Sequence, residues 1–141
     1  MIVWLAFASS SLAPAFGNRV QFELFETEKL WAPIQRFRKL TNDAAGVLDR
    51  RLAISEFIAG PDFSVADIAS FGWLHIARII GFDFSAFAHL ARWHVTIAAR
   101  PAVQRGITLP EYATGACRPQ LKWCLINESA CHSHRAIADP A

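Results

Sequence analysis

The chain has 141 residues, which is enough for one domain with a substantial hydrophobic core. Hydrophobic residues make up 53% of it and charged residues only 18%, so the composition excludes an intrinsically disordered chain. The formal net charge is +2 and the basic residues are scattered among acidic ones, a pattern that does not favour a nucleic-acid partner.

The first apolar run and the cysteines both bear on where the protein resides. The run over residues 2–8 is far shorter than the roughly 20 apolar residues of a membrane-spanning helix, and it lacks the basic start of a secretory signal. All three cysteines, Cys117, Cys124 and Cys131, lie in the last part of the chain, where an odd number makes a poor disulfide framework. We therefore expect a cytoplasmic protein without a membrane segment.

The N-terminal segment before Pro14 is apolar on nearly every side, which is typical of a helix that packs against several neighbours. Proline removes a backbone donor and crowds the preceding turn, and Gly17 follows shortly after it. We therefore predict that this helix kinks or stops here and resumes over about residues 18–28. No capping residue precedes Ile2, so the chain is expected to begin within a helix.

Residues 33–52 are predicted to form a long amphipathic helix. Apolar residues recur there at spacings of three and four, with charged residues between them. The apolar positions are Ile34, Phe37, Leu40, Ala44, Val47, Leu48 and Leu52.

The clearest local signal is a helix start at Ser64. In a capping box, the Ser64 side chain accepts a hydrogen bond from the amide of Asp67, and the Asp67 carboxylate reaches back to the amide of Ser64. Phe63 and Ile68 occupy the two positions that form a hydrophobic staple across such a start. We assign these four residues to folding, and we expect about 1 kcal/mol or somewhat more from the box.

The helix that follows the capping box is predicted to span residues 65–80 and to be central and buried, because it has hardly any polar face. Gly81 is well placed to end it. An amphipathic helix over about residues 85–98 and a short helix over residues 102–106 follow, with Pro101 in the first turn of the last one. Since no strand pattern occurs, we predict an all-α bundle of about five or six helices.

Residues 111–141 follow neither a helical nor a strand period, and we predict a poorly ordered tail after a domain that spans residues 1–110. The three cysteines repeat there every seven residues and precede His132 and His134. Zinc sites use close pairs such as C-x-x-C, and Pro119 interrupts any helix that would align the thiols. We therefore predict no metal site.

Three further histidines, His75, His89 and His94, lie on predicted helices. None has a cysteine or acidic residue at ligand spacing. A hydrogen-bonded helix histidine is the ordinary explanation, so no catalytic base is predicted.

Several stretches resemble a known family when they are taken in chain order. They extend over about residues 3–110, with the capping box roughly midway: Trp4-Leu5, Leu12-Ala13-Pro14-Ala15-Phe16-Gly17, Ile34-Gln35-Arg36-Phe37, Val47-Leu48-Asp49-Arg50-Arg51-Leu52, Phe63-Ser64-Val65-Ala66-Asp67-Ile68-Ala69, Trp93 and Arg100-Pro101-Ala102-Val103. In this order they resemble the C-terminal helical domain of bacterial cytosolic glutathione transferases, particularly the nu-class and yeast-prion-related group.

The resemblance implies a two-domain, homodimeric enzyme. In it, a thioredoxin-like domain binds the co-substrate glutathione, and the helical domain supplies the wall for a hydrophobic electrophile that the thiolate attacks. This chain would then be a truncated C-terminal half, without the thioredoxin-like domain and inactive alone. The alternative is a non-catalytic helical module for dimerisation or partner binding.

The resemblance also implies roles for three residues. Arg36 matches a family arginine that faces the glutathione site, where a guanidinium can pair with a carboxylate. Alternatively, Arg36 belongs with Arg38 and Lys39 to a solvated helix face. Phe7 and Phe16 match the region that lines the substrate pocket with apolar side chains, and packing within the core is the competing interpretation.

Overall fold

The computed structural model of the protein describes residues 1–107. These residues form helices and no strand, which confirms the predicted all-α fold. They comprise a compact unit, Met1–Arg100, and the start of a second unit at Pro101. No helix in this part of the chain is both long and apolar enough to cross a membrane. The predicted tail and the three cysteines lie outside the described residues.

The N-terminal helix is continuous and contains two π-helical segments. Helix α1 (Ile2–Phe7) passes through the π-helical segment Ala8–Leu12 into α2 (Ala13–Val20), which continues as the π-helical segment Gln21–Phe25. The helix therefore does not stop at Pro14, which lies in the first turn of α2. The amide of Ala13 donates to the carbonyl five residues back, so the turn widens just ahead of the proline and accommodates its missing donor.

The remaining helices follow the predicted order with small shifts at their ends. Helix α3 (Trp31–Ala53) begins slightly earlier than predicted, and α5 (Ala88–Ala98) begins later. Helix α4 (Val65–Ile76) begins as predicted but passes into the 3-10 segment Ala77–Ile80. Helix α6 (Pro101–Ile107) belongs to the second unit and begins at the proline, where a missing amide has no cost.

Helix α4 is central in the first unit, as predicted, because it contacts α1, α2 and α5. Gly81 ends the 3-10 segment that follows it, with a φ of 64° in the left-handed region that suits glycine. Burial of α4 is incomplete at its start, where Val65 and Ile68 are exposed. The largest fully buried side chains of the unit are Trp93, Phe16, Leu12, Leu48, Leu52 and Ile58.

Asp49, on α3, caps the start of α5. Its Oδ1 atom accepts hydrogen bonds from the backbone amides of His89 and Leu90, each at 2.9 Å. The first amides of a helix have no partner within it, and Phe87 at the N-cap has no side-chain acceptor to offer. The Asp49 carboxylate therefore links α3 to α5 and supplies the hydrogen-bond acceptor that the first amides of α5 lack.

We expect Asp49→Ala to lower the free energy of unfolding by about 1–2 kcal/mol, because two helix amides lose their acceptor. Urea denaturation followed by circular dichroism measures this change. Asp43→Ala removes an exposed carboxylate from the same helix and is the matched control. Equal losses in the two variants would contradict the capping role of Asp49.

Candidate functional site

Arg36 lies on the exposed side of α3, beside an open groove of about 620 Å³. The groove lies between the C-terminal part of the first helix and the first turns of α3. Most of its lining is apolar, and we call it the Arg36 groove. The residues that line it are Asn18, Phe22, Ala32, Pro33, Arg36, Phe37 and Leu40.

The cations near this groove differ in whether they have a partner. Arg38 Nε contacts Glu23 Oε1 at 2.8 Å, and the buried Arg19 contacts the same oxygen at 3.0 Å. Burial raises the pKa of Glu23, but the hydrogen bonds and charges of Arg38 and Arg19 outweigh burial and hold that pKa below its ordinary value. Within residues 1–107, Arg36 has no ion pair, so its guanidinium can pair with an external anion.

Phe7 and Phe16 occupy different environments, and neither lines the Arg36 groove. Phe7 is partly exposed on α1 and contacts Trp4 edge-to-face, with ring centroids 5.9 Å apart. Phe16 is fully buried and packs edge-to-face on Phe82 at 5.3 Å. Of the two, Phe7 has the exposed surface that substrate contact needs. A role in substrate binding stays a prediction for both.

The capping box at the start of α4 is present, and its carboxylate has two further partners. Asp67 Oδ2 accepts from the amide and from the hydroxyl of Ser64, each at 2.9 Å. Asp67 Oδ1 accepts from the Ile58 amide at 3.0 Å and from Trp93 Nε1 at 2.9 Å. Since Asp67 has no exposed surface, one buried carboxylate joins the loop before α4, α4 itself and α5.

Phe63 packs against residues other than its predicted partner. Its ring contacts Phe57 edge-to-face at 6.0 Å, and the Arg100 guanidinium lies over it at 3.8 Å from the ring centroid. A cation over an aromatic face is attracted by the charge distribution of the ring. Ile68 is 58% exposed, and its staple with Phe63 stays a prediction.

Helices α4 and α5 enclose a histidine pair that no sequence pattern indicated. The rings of His75 and His94 are nearly parallel with centroids 6.0 Å apart, and both stack on Phe71. Nδ1 of His75 and Nε2 of His94 are buried without a hydrogen-bond partner. Burial, and then the positive charges of His75 and Arg78, lower the pKa of His94 to about 4. Burial and Arg78 also lower the pKa of His75.

The histidine pair does not extend to a metal site. In the part of the chain that the structure describes, no group of three His, Cys, Asp or Glu side chains is arranged to hold a metal ion. The cysteines and histidines of the C-terminal segment lie outside that part, so the prediction made for them stays a prediction.

Comparison with known proteins gives matches over the same helices. Residues 33–101 match the family described as glutathione S-transferase, C-terminal domain. A glutathione S-transferase domain-containing protein of Dictyostelium discoideum is 35% identical over 107 residues, which are 74% of this chain and 41% of that protein. The disulfide-bond oxidoreductase YghU of Escherichia coli is 30% identical over 112 residues, which are 74% of this chain and 38% of that protein.

A solved structure agrees with these matches. The glutathione transferase URE2P6 from Phanerochaete chrysosporium, crystallised in complex with oxidized glutathione, has a TM-score of 0.71 and 27% sequence identity over 76% of this chain and 50% of that chain. The chain thus spans about two fifths of the curated relatives and half of the solved structure. The matched region contains Arg36, the capping box and the histidine pair. Residues 33–101 therefore belong to the glutathione S-transferase C-terminal domain family.

Proposed function

We propose that this domain is the electrophile-site wall and the dimer-interface half of a cytoplasmic enzyme that conjugates glutathione to hydrophobic electrophiles. The observation that carries the proposal is the partly exposed Trp4–Phe7 pair on the first helix, which precedes the residues that match this family. The complex of URE2P6 with oxidized glutathione supports glutathione as the co-substrate and the yeast-prion-related group as the subclass. We assign the chain to that group, with the nu-class bacterial enzymes.

In the proposed reaction, the glutathione thiolate attacks an electrophilic carbon, a carbon–sulfur bond forms and the leaving group departs with its electron pair. Phe7 presents an apolar surface to the electrophile. Arg36 pairs with a carboxylate of glutathione. We assign neither residue to thiol ionisation, which requires donors near the sulfur in a glutathione-binding domain. The helical domain is therefore inactive by itself in this proposal.

Exposed apolar side chains support the dimer-interface part of the proposal. Ile2 is 78% exposed, Val3 is 74% exposed and Trp31 is 67% exposed. Large exposed apolar surfaces mark sites of association in soluble proteins. The same observation favours the second candidate, a non-catalytic helical module for dimerisation or partner binding.

The test uses a chimera in which a glutathione-binding domain of the same family is fused to the N-terminus of this chain. We expect the chimera to conjugate chlorodinitrobenzene, and the 141-residue chain alone to give no turnover. Phe7→Ala should raise the KM for the electrophile about 5- to 20-fold, because a partly buried aromatic contact is lost. Arg36→Gln should raise the KM for glutathione about 5-fold. Lys39→Gln, an exposed cation outside the groove, is the matched control and should change neither value.

Several outcomes contradict the proposal. A chimera that binds immobilised glutathione but conjugates no electrophile would favour the non-catalytic module. If it reduces hydroxyethyl disulfide instead, its reaction is of the kind named for the E. coli relative, and conjugation is wrong. Turnover by the chain alone would show that the helical domain is active by itself.

A further inference from the structure

We propose that Arg51 is a positioning residue for the electrophile-site wall. From α3 it holds the Trp4–Phe7 pair of α1 in the orientation in which Phe7 meets an aromatic electrophile. The inference rests on the proposed function, and it assigns a role to a residue that does not itself touch the electrophile. It also narrows the substrate class to electrophiles that carry an aromatic ring.

The Arg51 side chain is anchored at the end of α3. Arg51 lies in the last turn of that helix, and its Nε atom donates to the carbonyl of Ile58 at 2.9 Å. Ile58 is fully buried, and its amide donates to the carboxylate of Asp67 at 3.0 Å. The carbonyl that orients the guanidinium therefore belongs to a residue that the buried Asp67 holds in place.

The anchored guanidinium lies over the indole ring of Trp4, 5.8 Å from the ring centroid. The planar guanidinium stacks well on aromatic faces, and tryptophan is the strongest aromatic partner for a cation. Both side chains are partly buried, which strengthens the attraction relative to an open surface. The contact joins α3 to α1 and restricts the rotation of the Trp4 side chain.

Trp4 transmits this restriction to Phe7. The two residues are three positions apart on α1, so they lie on the same face of the helix. Their ring planes are 77° apart with centroids separated by 5.9 Å, which is the edge-to-face arrangement that aromatic pairs favour. The orientation of the Trp4 ring therefore selects the orientation of the Phe7 ring. An electrophile with an aromatic ring can form a similar ring contact with Phe7, whereas a small aliphatic electrophile cannot.

The first test measures the Trp4 ring in the full 141-residue chain. The tryptophans are replaced by 5-fluorotryptophan, and Trp4→Phe assigns the fluorine resonance of Trp4. We expect Arg51→Met, which keeps an unbranched side chain without the charge, to shift this resonance and to leave those of Trp73 and Trp93 in place. Arg50→Met removes an exposed cation from the same turn of α3 and is the matched control, which should shift none of them.

The second test measures conjugation by the chimera with a glutathione-binding domain. Arg51→Met should raise the KM for chlorodinitrobenzene about 3- to 10-fold, as expected for one misplaced aromatic contact. The KM for iodoethane and the KM for glutathione should stay unchanged, because the altered contact is with the aromatic ring of the substrate. Arg51→Lys keeps the charge but not the planar guanidinium, so it should raise the KM for chlorodinitrobenzene less than Arg51→Met does.

Specific results would overturn the proposal. An unchanged Trp4 resonance in Arg51→Met would show that Arg51 does not hold the ring, and equal shifts of all the tryptophan resonances would show a general loss of packing. Equal increases in the KM for chlorodinitrobenzene and for iodoethane would also contradict it. If the chimera conjugates no electrophile, the proposed function is wrong, and the Trp4 resonance still decides whether Arg51 positions the pair. Where Arg51→Met does not fold, Arg51→Lys replaces it in both tests, with smaller effects in the same direction.

Discussion

Asp67→Ala is expected to lower the free energy of unfolding by about 4 kcal/mol or more. Four donors lose their acceptor at once, namely the amide and hydroxyl of Ser64, the Ile58 amide and Trp93 Nε1. A buried donor without a partner costs about 1–3 kcal/mol. Trp93 is fully buried, so its indole cannot turn to water to recover the bond. A loss of this size is a large fraction of the stability of an ordinary domain.

Urea denaturation followed by circular dichroism measures this loss, with two comparisons. Ser64→Ala removes one donor and should cost about 1 kcal/mol. Asp62→Ala removes an exposed carboxylate from the preceding loop and should cost less than about 0.5 kcal/mol. Where Asp67→Ala yields no folded protein, Asp67→Asn keeps the shape and one acceptor oxygen, and it should give an intermediate loss. If both Asp67 variants lose no more stability than Ser64→Ala, the hydrogen bonds of Asp67 to Ile58 and Trp93 are not important for folding.

Acidification from about pH 6.5 to pH 4 is expected to destabilise the fold through His94. Its pKa is about 4 in the folded state and 6.5 for an unperturbed histidine. Between these values the unfolded chain binds more protons than the folded one, so the free energy of unfolding falls as the pH falls. The contribution is fully present above pH 6.5 and is lost towards pH 4, with a total of about 3 kcal/mol. His75 acts in the same direction, because its pKa is also lowered.

The measurement compares urea denaturation at about pH 7.5 and about pH 5, where His94 alone should account for a loss of about 2 kcal/mol. His94→Phe keeps an aromatic ring against Phe71 but cannot take up a proton, so it should lose less stability over this interval. His89→Gln removes an exposed histidine from the same helix and is the control. The same pH dependence in His94→Phe and in the unmodified chain would show that His94 is not responsible.

The exposure of the two predicted substrate residues, Phe7 and Phe16, could not be predicted from the sequence. Phe7 and Phe16 are the same residue type on one continuous helix, and the resemblance treats them alike. Their exposure differs because Phe82, far along the chain, covers Phe16. Arg36 differs for a similar reason, since Glu23 engages Arg19 and Arg38 but leaves Arg36 unpaired within the described residues. Which side chain meets solvent depends on partners that no local pattern identifies.

Features that depend on a few neighbouring residues could be predicted from the amino-acid sequence. Apolar spacing located α3 and α5, the box at Ser64 located the start of α4, and Gly81 located the end of the 3-10 segment that follows α4, because these signals act through local backbone geometry. Contacts between distant residues could not be predicted in this way. Asp67 also accepts hydrogen bonds from the amide of Ile58 and the indole of Trp93, Asp49 caps α5, and His75 stacks near His94. Most of these partners lie on different helices that are far apart in the sequence. They come within contact distance only when the helices pack, and burial then makes each polar group rely on the other as its partner.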